Sequence, residues 1–267
     1  MWFNYNGTFL SSASFDANNR SFKYGDGFFE SIRLFNGKAF NKDSHINRLK
    51  KSLSILKMTL PISIDELIDL AEKLVEKNGL NKGSVVRISL FREGKGKYTP
   101  VSMMANYFLE CSSASSQFDL NDEGLSLSIF KDHYKSKDSL STIKTNSAII
   151  YVLASIAKQQ LGYDDLLILN EDQQVLESSN SNLFVVKNNQ LISPPLEDGC
   201  LDGSMRSLIS SHFDLCFQSL TLNDLKNCEE VFLTNCNGIK WVKSIHSNHY
   251  SYRLMANEIN EFCNQLI

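Results

Sequence analysis

Residues 141–147 read Ser-Thr-Ile-Lys-Thr-Asn-Ser, and residues 176–184 read Leu-Glu-Ser-Ser-Asn-Ser-Asn-Leu-Phe. Lys144 stands in the first stretch where a strand-like pattern gives way to a helical one, and Glu177 stands in the second, in a polar run before a strand-like one. A lysine and a carboxylate at such junctions suit pyridoxal phosphate (PLP) chemistry. The lysine would hold the aldehyde as a Schiff base, and the carboxylate would keep the pyridine nitrogen protonated. Taken alone the pair is a weak signal, because a lysine at the start of a helix is usually a solvated cation.

The surrounding sequence carries a more specific pattern. Four further motifs occur: Tyr-Gly-Asp-Gly-Phe-Phe-Glu-Ser-Ile-Arg at 24–33, His-Ile-Asn-Arg-Leu at 45–49, Asp-Gly-Ser-Met-Arg at 202–206 and Glu-Val-Phe-Leu-Thr-Asn at 230–235. In this order the motifs resemble the class IV aminotransferase family, the fold-type IV PLP enzymes, over residues 3–243. The resemblance implies an α+β fold like that of D-amino-acid aminotransferase, with a small α+β N-terminal domain and a larger barrel-like C-terminal domain.

The composition excludes several classes of protein. The chain has 267 residues, of which 42% are hydrophobic and 21% charged, as in ordinary globular proteins. Its net charge of −3 argues against a nucleic-acid binder that relies on phosphate contacts. No apolar run reaches the roughly 18–20 residues that cross a bilayer, and the first residues lack the pattern of a secretory signal. The six cysteines and five histidines show no disulfide or metal-ligand spacing, which predicts a cytoplasmic protein without a metal site.

Hydrophobic periodicity divides the chain into two parts. In the first part, strand-like runs at 3–10, 28–35, 84–93 and 103–111 surround two helical patterns, the first capped by Asp43 or Ser44 and the second opened by residues 61–63. In the second part, strand-like runs are found at 125–130, 165–169, 182–187, 190–193, 230–234 and 239–243, and helical patterns at 148–161, 204–213 and 252–266. The stretch between them is rich in serine and charge. We therefore predict domains at 1–112 and 125–267, joined by a linker at 113–124.

The resemblance implies cofactor roles for particular residues. Lys144 would carry the aldehyde and then move the substrate's α-proton, and Glu177 would contact the pyridine nitrogen. Arg48 would bind the phosphate through its planar guanidinium. Backbone N–H groups of Ser204 and Met205, at the start of a predicted helix, would bind the same phosphate.

The remaining cofactor contacts have alternatives. Asn235 matches a strand-end residue that binds the phosphate in the family, but Thr234 could share that role, and Asn182 would fix the loop near Glu177. Without the resemblance, Glu177 would be a turn carboxylate and Arg48 a helix-surface arginine. Four other lysines are interpreted as solvated or helix-surface cations: Lys131, Lys135, Lys137 and Lys158.

The substrate side is less determined. Strand periodicity predicts that Tyr24, Phe29 and Ser31 face the pocket. Either Arg87 or Arg92 could bind a substrate carboxylate. Because the two arginines are five residues apart on one strand, they lie on opposite faces, and we expect only one of them to serve the pocket.

Three reactions occur on this family's scaffold. Residues 234–240, Thr-Asn-Cys-Asn-Gly-Ile-Lys, stand where the branched-chain aminotransferases carry a Gly-Thr-Ala-Ala-Glu type of turn. This difference, the 202–206 motif and the compact length favour 4-amino-4-deoxychorismate lyase, which forms 4-aminobenzoate and pyruvate. Because residues 29–31 resemble aminotransferases equally, a branched-chain or D-amino-acid aminotransferase stays open, with L or D stereochemistry. A PLP-binding or interaction protein without catalysis is a remote alternative.

The resemblance also predicts the partners of the chain. The family binds small-molecule amines and builds each pocket from two chains, so we expect a homodimer.

Overall fold

The computed structural model describes residues 1–267, which form two compact units. The first unit contains residues 1–117 together with 143–147, and the second contains residues 118–142 and 148–267. The division differs from the predicted one in two ways. Residues 113–117 belong to the first unit, and so does the segment 143–147, which contains Lys144 and which the sequence pattern had assigned to the second domain.

The first unit is an antiparallel sheet covered on one face by its two longer helices. Its strands are β1 (Phe3–Tyr5), β2 (Thr8–Leu10), β3 (Gly27–Phe35), β4 (Lys38–Ala39), β5 (Gly83–Arg92) and β6 (Ala105–Ser113). They are arranged in the order β2-β1-β6-β5-β3-β4. The helices are α1 (Arg20–Tyr24), α2 (Lys42–Ile55) and α3 (Ile64–Lys77).

The core of this unit lies between the sheet and the longer helices. Ile32 and Ile88 on the strands pack with Leu49 and Leu67 on α2 and α3, and all four are buried. Alternate strand residues, such as Phe29, point to the opposite face of the sheet. That opposite face is therefore available for a ligand.

Helix capping agrees only partly with the sequence. Ser63 caps α3 with a capping box to Glu66, as residues 61–63 predicted. The prediction for α2 was wrong, because Asn41 and not Asp43 or Ser44 occupies the N-cap. Asn41 adopts a left-handed backbone conformation and accepts a hydrogen bond from Ser44 Oγ at 2.9 Å.

The second unit is built on a closed six-stranded barrel. The strands of the whole unit are β7 (Leu125–Ile129), β8 (Asp165–Leu169), β9 (Val175–Ser178), β10 (Asn182–Lys187), β11 (Gln190–Ser193), β12 (Leu215–Phe217), β13 (Glu230–Asn235), β14 (Gly238–Ile245) and β15 (Asn248–His249). The order β10-β13-β14-β7-β8-β9 closes where Glu177 on β9 pairs with Asn182 on β10. Strands β11 and β12 extend the sheet from β10.

Helices accompany the barrel. They are α4 (Ile149–Leu161), α5 (Ser204–His212), α6 (Leu222–Leu225) and α7 (Leu254–Gln265), with 3-10 turns at Ser139–Thr142 and Leu196–Asp198. Apolar strand residues such as Leu167, Val185 and Leu233 form the barrel core. The length and apolarity needed to cross a membrane are not combined in any helix.

Candidate cofactor and substrate site

Lys144 lies beside the beginning of β3 in the first unit. Its carbonyl accepts a hydrogen bond from the Phe29 N–H at 2.8 Å, and the Asn146 N–H donates to the Gly27 carbonyl at 2.9 Å. Phe28 and Thr145 form an antiparallel bridge between these bonds. Helix α4 begins at residue 149, one residue from the predicted start, so Lys144 lies before the helix. Backbone pairing with β3 therefore positions Lys144.

The ring of Phe29 contacts two cations. The Lys144 Nζ atom lies 4.9 Å from the ring centroid, and the Arg87 guanidinium carbon lies 3.6 Å from it. Cations on an aromatic face are attracted by its negative quadrupole. The Phe29 side chain thus lies close to both a lysine amine and a guanidinium on the open face of the sheet. Strand periodicity predicted that Phe29 would lie on this face. Ser31 lies next to Arg87 in the strand register.

The two arginines of β5 have different surroundings. Arg92 is buried, and its guanidinium donates to Asp26 and to the Leu56 and Lys57 carbonyls. Arg87 is half-buried and contacts Phe29, without an ion pair or hydrogen bond to a carboxylate. Burial lowers the pKa of Arg87 somewhat, while the charge of Glu110 opposes this shift. Arg87 is the arginine with donors available for a ligand.

Arg87 lines a cavity of about 620 Å³ in the first unit. Ser89 and Asn146 contribute polar groups to its wall. Much of the rest is aromatic and comes from Phe15, Phe22, Phe91 and Phe108. Phe15 packs edge-on against Phe91 and Phe108, with ring centroids 5.9 and 5.2 Å apart. The cavity combines an aromatic wall with a guanidinium, a combination that suits a ring-bearing carboxylate.

Tyr24 is placed differently from Phe29 and Ser31. It is the last residue of α1, so the argument from strand periodicity does not apply to it. Its ring lies 5.7 Å from that of Tyr98 and 5.2 Å from the Arg20 guanidinium carbon.

Arg48 is not a helix-surface residue. It is buried on α2, and its Nε donates to Glu30 Oε2 at 2.9 Å while its Nη2 donates to Glu30 Oε1. His45 also binds Glu30 through Nδ1. Burial raises the pKa of Glu30, but the charge of Arg48 and the hydrogen bond of His45 outweigh it and lower that pKa to about 2. The prediction that Arg48 binds a phosphate stays a prediction.

Glu177 lies in the barrel of the second unit. The alternative that Glu177 is a turn carboxylate was wrong, because residue 177 belongs to β9 and is 2% exposed. Its Oε1 accepts from Lys135 Nζ at 2.5 Å and from the Tyr151 hydroxyl at 2.7 Å, and its Oε2 accepts from the Leu201 N–H at 2.8 Å. Burial, followed by the charge of Glu177, raises the pKa of Tyr151 well above 10, so its hydroxyl stays a neutral donor.

Lys135 is the residue that sequence reasoning missed at this site. We interpreted it as a solvated cation, but it is buried and donates to Glu177 and to the Ser141 carbonyl. Lys135 stands in a charged stretch between Lys131 and Lys137, and nothing in the local pattern distinguishes it from them. Only its distant partner on β9 explains its burial.

Three predicted residues form a row across neighbouring strands. Glu177 on β9 pairs with Asn182 on β10, which pairs with Thr234 on β13. Neighbouring pairs are about 5 Å apart, so the row spans about 10 Å. Asn182 Nδ2 also donates to the Leu201 carbonyl at 2.8 Å. Leu201 therefore links both residues of the barrel closure.

Helix α5 begins next to this row. A Cβ on Gly203 would lie 1.9 Å from Asn182 Oδ1, so only glycine permits this packing before the helix. Gly203 is the N-cap and supplies no side-chain cap to the first-turn N–H groups. Ser204 and Met205 begin the helix, and both are buried.

Thr234 and Asn235 differ in their hydrogen bonds. Asn235 donates to Ser181 Oγ at 2.9 Å and accepts from the Asn237 N–H at 2.8 Å, so its amide holds the turn. The Thr234 hydroxyl is buried without a hydrogen-bond partner. A buried hydroxyl without a protein partner is able to donate a hydrogen bond to a ligand that reaches it.

The second unit therefore offers the hydrogen-bonding groups that PLP needs, a carboxylate acceptor for its ring nitrogen and donors for its phosphate. A pyridine nitrogen requires a carboxylate such as Glu177, and a phosphate requires N–H and hydroxyl groups such as those of α5 and Thr234. These groups lie along one row and the helix beside it. Their chemistry fits the cofactor.

The chain is similar to known proteins of one family. The profile of the family amino-transferase class IV matches residues 27–245. A D-alanine aminotransferase of Listeria monocytogenes is 27% identical over 235 residues, covering 84% of this chain and 79% of that protein.

Solved structures share the fold. A branched-chain aminotransferase of Thermoproteus uzoniensis has a TM-score of 0.90 at 23% identity, covering 99% of this chain and 94% of that one. A 4-amino-4-deoxychorismate lyase of Pseudomonas aeruginosa has a TM-score of 0.86 at 21% identity, covering 98% of both chains. These likenesses confirm the predicted fold class. Since the family profile spans most of its length, the chain belongs to the class IV aminotransferase family of PLP-dependent enzymes.

Proposed function

We propose that the protein is a 4-amino-4-deoxychorismate lyase, which forms 4-aminobenzoate and pyruvate. The observation that carries this proposal is the aromatic-walled cavity with Arg87 inside it. The substrate has a ring and carboxylates, and the cavity offers aromatic rings and a guanidinium without a hydrogen bond to a carboxylate. A branched-chain amino acid has no ring to use such a wall.

The β13–β14 hairpin supports the same reaction. Asn235 pairs with Gly238, so only Cys236 and Asn237 form the loop. A Cβ on Gly238 would lie 2.8 Å from the ring of Phe118, which makes the turn tight. A two-residue turn leaves no room for the longer turn of small residues that resemblance associates with branched-chain aminotransferases.

In this proposal each residue has a defined task. The Lys144 amine attaches the cofactor and accepts the proton from the amine-bearing carbon, and Arg87 orients a substrate carboxylate. Phe29 and Ser31 line the substrate side, while Tyr24 packs with Tyr98 and Arg20. When bound, PLP supplies an electron sink for the electrons of the broken bond.

Other residues would hold the cofactor. Glu177 keeps the pyridine nitrogen protonated, while the Ser204 and Met205 amides and the Thr234 hydroxyl bind the phosphate. Thr234 is favoured over Asn235 because the Asn235 amide is used within its own turn. Asn182 positions the Leu201 backbone, whereas Arg48 and Arg92 serve the first unit's structure, because Glu30 and Asp26 bind their guanidinium groups.

Transamination is the second candidate, with leucine or a D-amino acid as amine donor. The identity to a D-alanine aminotransferase over 84% of the chain favours it. It would use the same lysine and the same carboxylate, so the substrate cavity must distinguish the two reactions.

We further propose a cytoplasmic homodimer. Helix α4 exposes Ile149, Val152 and Ile156, which lie on one helix face and are 64%, 49% and 47% exposed. Such a stripe fits the same stripe of a second copy. Light scattering should give a dimer for the native chain and a monomer for Val152→Glu; a fully active monomer of the native chain would contradict the proposal.

The cytoplasmic location rests on the cysteines. All six cysteines are free thiols, which agrees with a reducing compartment.

The reaction is tested by supplying each substrate separately. Aminodeoxychorismate should release pyruvate without an added keto acid, whereas leucine with 2-oxoglutarate should be a poor pair. A coupled assay follows pyruvate, and absorbance follows the amino form of the cofactor. Stoichiometric amino form from leucine or D-alanine, with no pyruvate from aminodeoxychorismate, would favour transamination instead.

The attachment site is tested by borohydride reduction and peptide mapping. We expect the pyridoxyl label on Lys144 and its loss in Lys144→Ala. Lys135 is the informative competitor, because it is the buried lysine next to Glu177. A label on Lys135 in the native protein would overturn the assignment of Lys144.

A further inference from the structure

The segment with Lys144 is tied to the cavity wall by the side chain of Asn146. Asn146 Nδ2 donates to Ser21 Oγ at 2.9 Å and lies 3.4 Å from the Leu90 carbonyl oxygen. Both Ser21 and Asn146 line the cavity that contains Arg87. Asn146 is two residues from Lys144, so one side chain joins the lysine segment to the wall.

The wall at Ser21 is itself firmly anchored. Its neighbour Arg20 is buried and donates to Asp26 Oδ2 at 2.7 Å. Arg20 Nη1 also donates to the Gly96 and Lys97 carbonyls at 3.0 and 2.7 Å. Helix α1 is thereby held to the residue before β3 and to the loop after β5, which limits the movement of Ser21.

Asn146 is also confined from the other side. A Cβ on Gly27 would lie 2.6 Å from Asn146 Nδ2 and 2.3 Å from the Leu90 carbonyl oxygen. Glycine at position 27 is therefore required for the amide to reach Ser21. The Asn146 N–H donates to the Gly27 carbonyl at 2.9 Å, so both the backbone and the side chain of Asn146 are held.

We propose that Asn146 is a positioning residue that, through Ser21, keeps the Lys144 amine at a defined place relative to the substrate cavity. The expected effect of Asn146 on turnover rests on the proposed function, whereas its expected effect on the rigidity of residues 143–147 does not. Catalysis is sensitive to small misplacements of the reacting groups. Loosening the Ser21–Asn146 bond should therefore lower turnover more than substrate affinity.

The test compares Ser21→Ala, Asn146→Ala, their double variant and Ser21→Thr, which keeps the hydroxyl. Ser14→Ala is the matched control, because Ser14 is an exposed serine of the same stretch. The cofactor-loaded enzyme is measured for kcat and KM. We expect Ser21→Ala to lower kcat about ten-fold and change KM less than two-fold. Ser21→Thr should recover most of the loss, and the double variant should be no worse than Asn146→Ala.

A second readout is independent of the substrate. Hydrogen exchange of the peptide covering residues 143–147, followed by mass spectrometry, should be faster in Ser21→Ala and Asn146→Ala and unchanged in Ser14→Ala. Unchanged exchange in Ser21→Ala would overturn the proposal, as would single effects on kcat that multiply in the double variant. If no amine is turned over but exchange rises as expected, the proposed function fails and the positioning role stands.

Discussion

Each unit of the protein buries one glutamate among hydrogen-bond donors, and the two glutamates are held in different ways. Glu30 of the first unit binds the guanidinium of Arg48 and the ring of His45. Glu177 of the second unit binds an ammonium, a neutral hydroxyl and a backbone N–H. Both are almost fully buried, at 1% and 2% exposure.

The difference teaches that burial by itself does not identify a functional carboxylate. Glu30 points to the helix-covered face of the sheet, where its task is to balance the buried charge of Arg48. Glu177 lies at the closure of the barrel, in a row that ends at the unpartnered Thr234 hydroxyl. In the function we propose, its neighbours, above all the Thr234 hydroxyl without a partner, make Glu177 the carboxylate that meets the cofactor, whereas Glu30 is structural.

The largest expected effect concerns Glu177. Glu177→Gln should keep the cofactor bound but lower kcat on the order of 1,000-fold, about 4 kcal/mol, because an amide cannot keep the pyridine nitrogen protonated. Steady-state kinetics of the cofactor-loaded variant measure this, with the exposed Glu171→Gln as control. Native turnover in Glu177→Gln would reduce Glu177 to a barrel-closing residue like any other.

The second prediction concerns Glu30, whose replacement should affect stability. Glu30→Gln should lower the free energy of unfolding by about 3 kcal/mol, because it leaves Arg48 buried without a counter-charge. Urea unfolding of the variant and of the exposed control Glu76→Gln tests this. A loss below about 1 kcal/mol would mean that the pair is not a stabilising element of the first unit.

The third prediction concerns the pH dependence of the stabilisation by Glu30. The pKa of Glu30 falls from an ordinary 4.5 to about 2 on folding, so its stabilising contribution is fully present above pH 4.5 and is lost as the pH falls toward 2. The contribution is on the order of 3 kcal/mol. The difference in unfolding free energy between the native chain and Glu30→Gln should therefore shrink between pH 5 and about pH 2. A constant difference over that range would contradict the assigned pKa.

The smallest expected effect is that of Tyr151→Phe. Removing the hydroxyl takes one neutral donor from Glu177, while Lys135 and the Leu201 N–H remain. We expect a loss of about 1 kcal/mol in unfolding free energy and only a few-fold fall in kcat. Tyr163→Phe is the control from the same region. A loss as large as that in Glu177→Gln would make Tyr151 an equal partner in the site.

The long elements could be predicted because their signals are local. The strand at 28–35 and the helix opened by Ser63 agree with the structure to within one or two residues. Short elements without such a signal were missed, among them α1, β4, β9, β12, α6 and β15. These elements depend on contacts with distant parts of the chain, which local periodicity does not encode.

The motif pattern alone led to the family, the cofactor and the fold, because six short motifs in one order are far more specific than any single residue. Tertiary structure was needed wherever two candidates looked alike along the chain. Arg87 and Arg92 differ only through Asp26 and the carbonyls that bind Arg92, and Thr234 and Asn235 only through the turn that uses the Asn235 amide. Lys135 is buried because Glu177, 42 residues away, pairs with it. Hydrogen-bond partners are set by distance in space, and separation along the chain gives no measure of that distance.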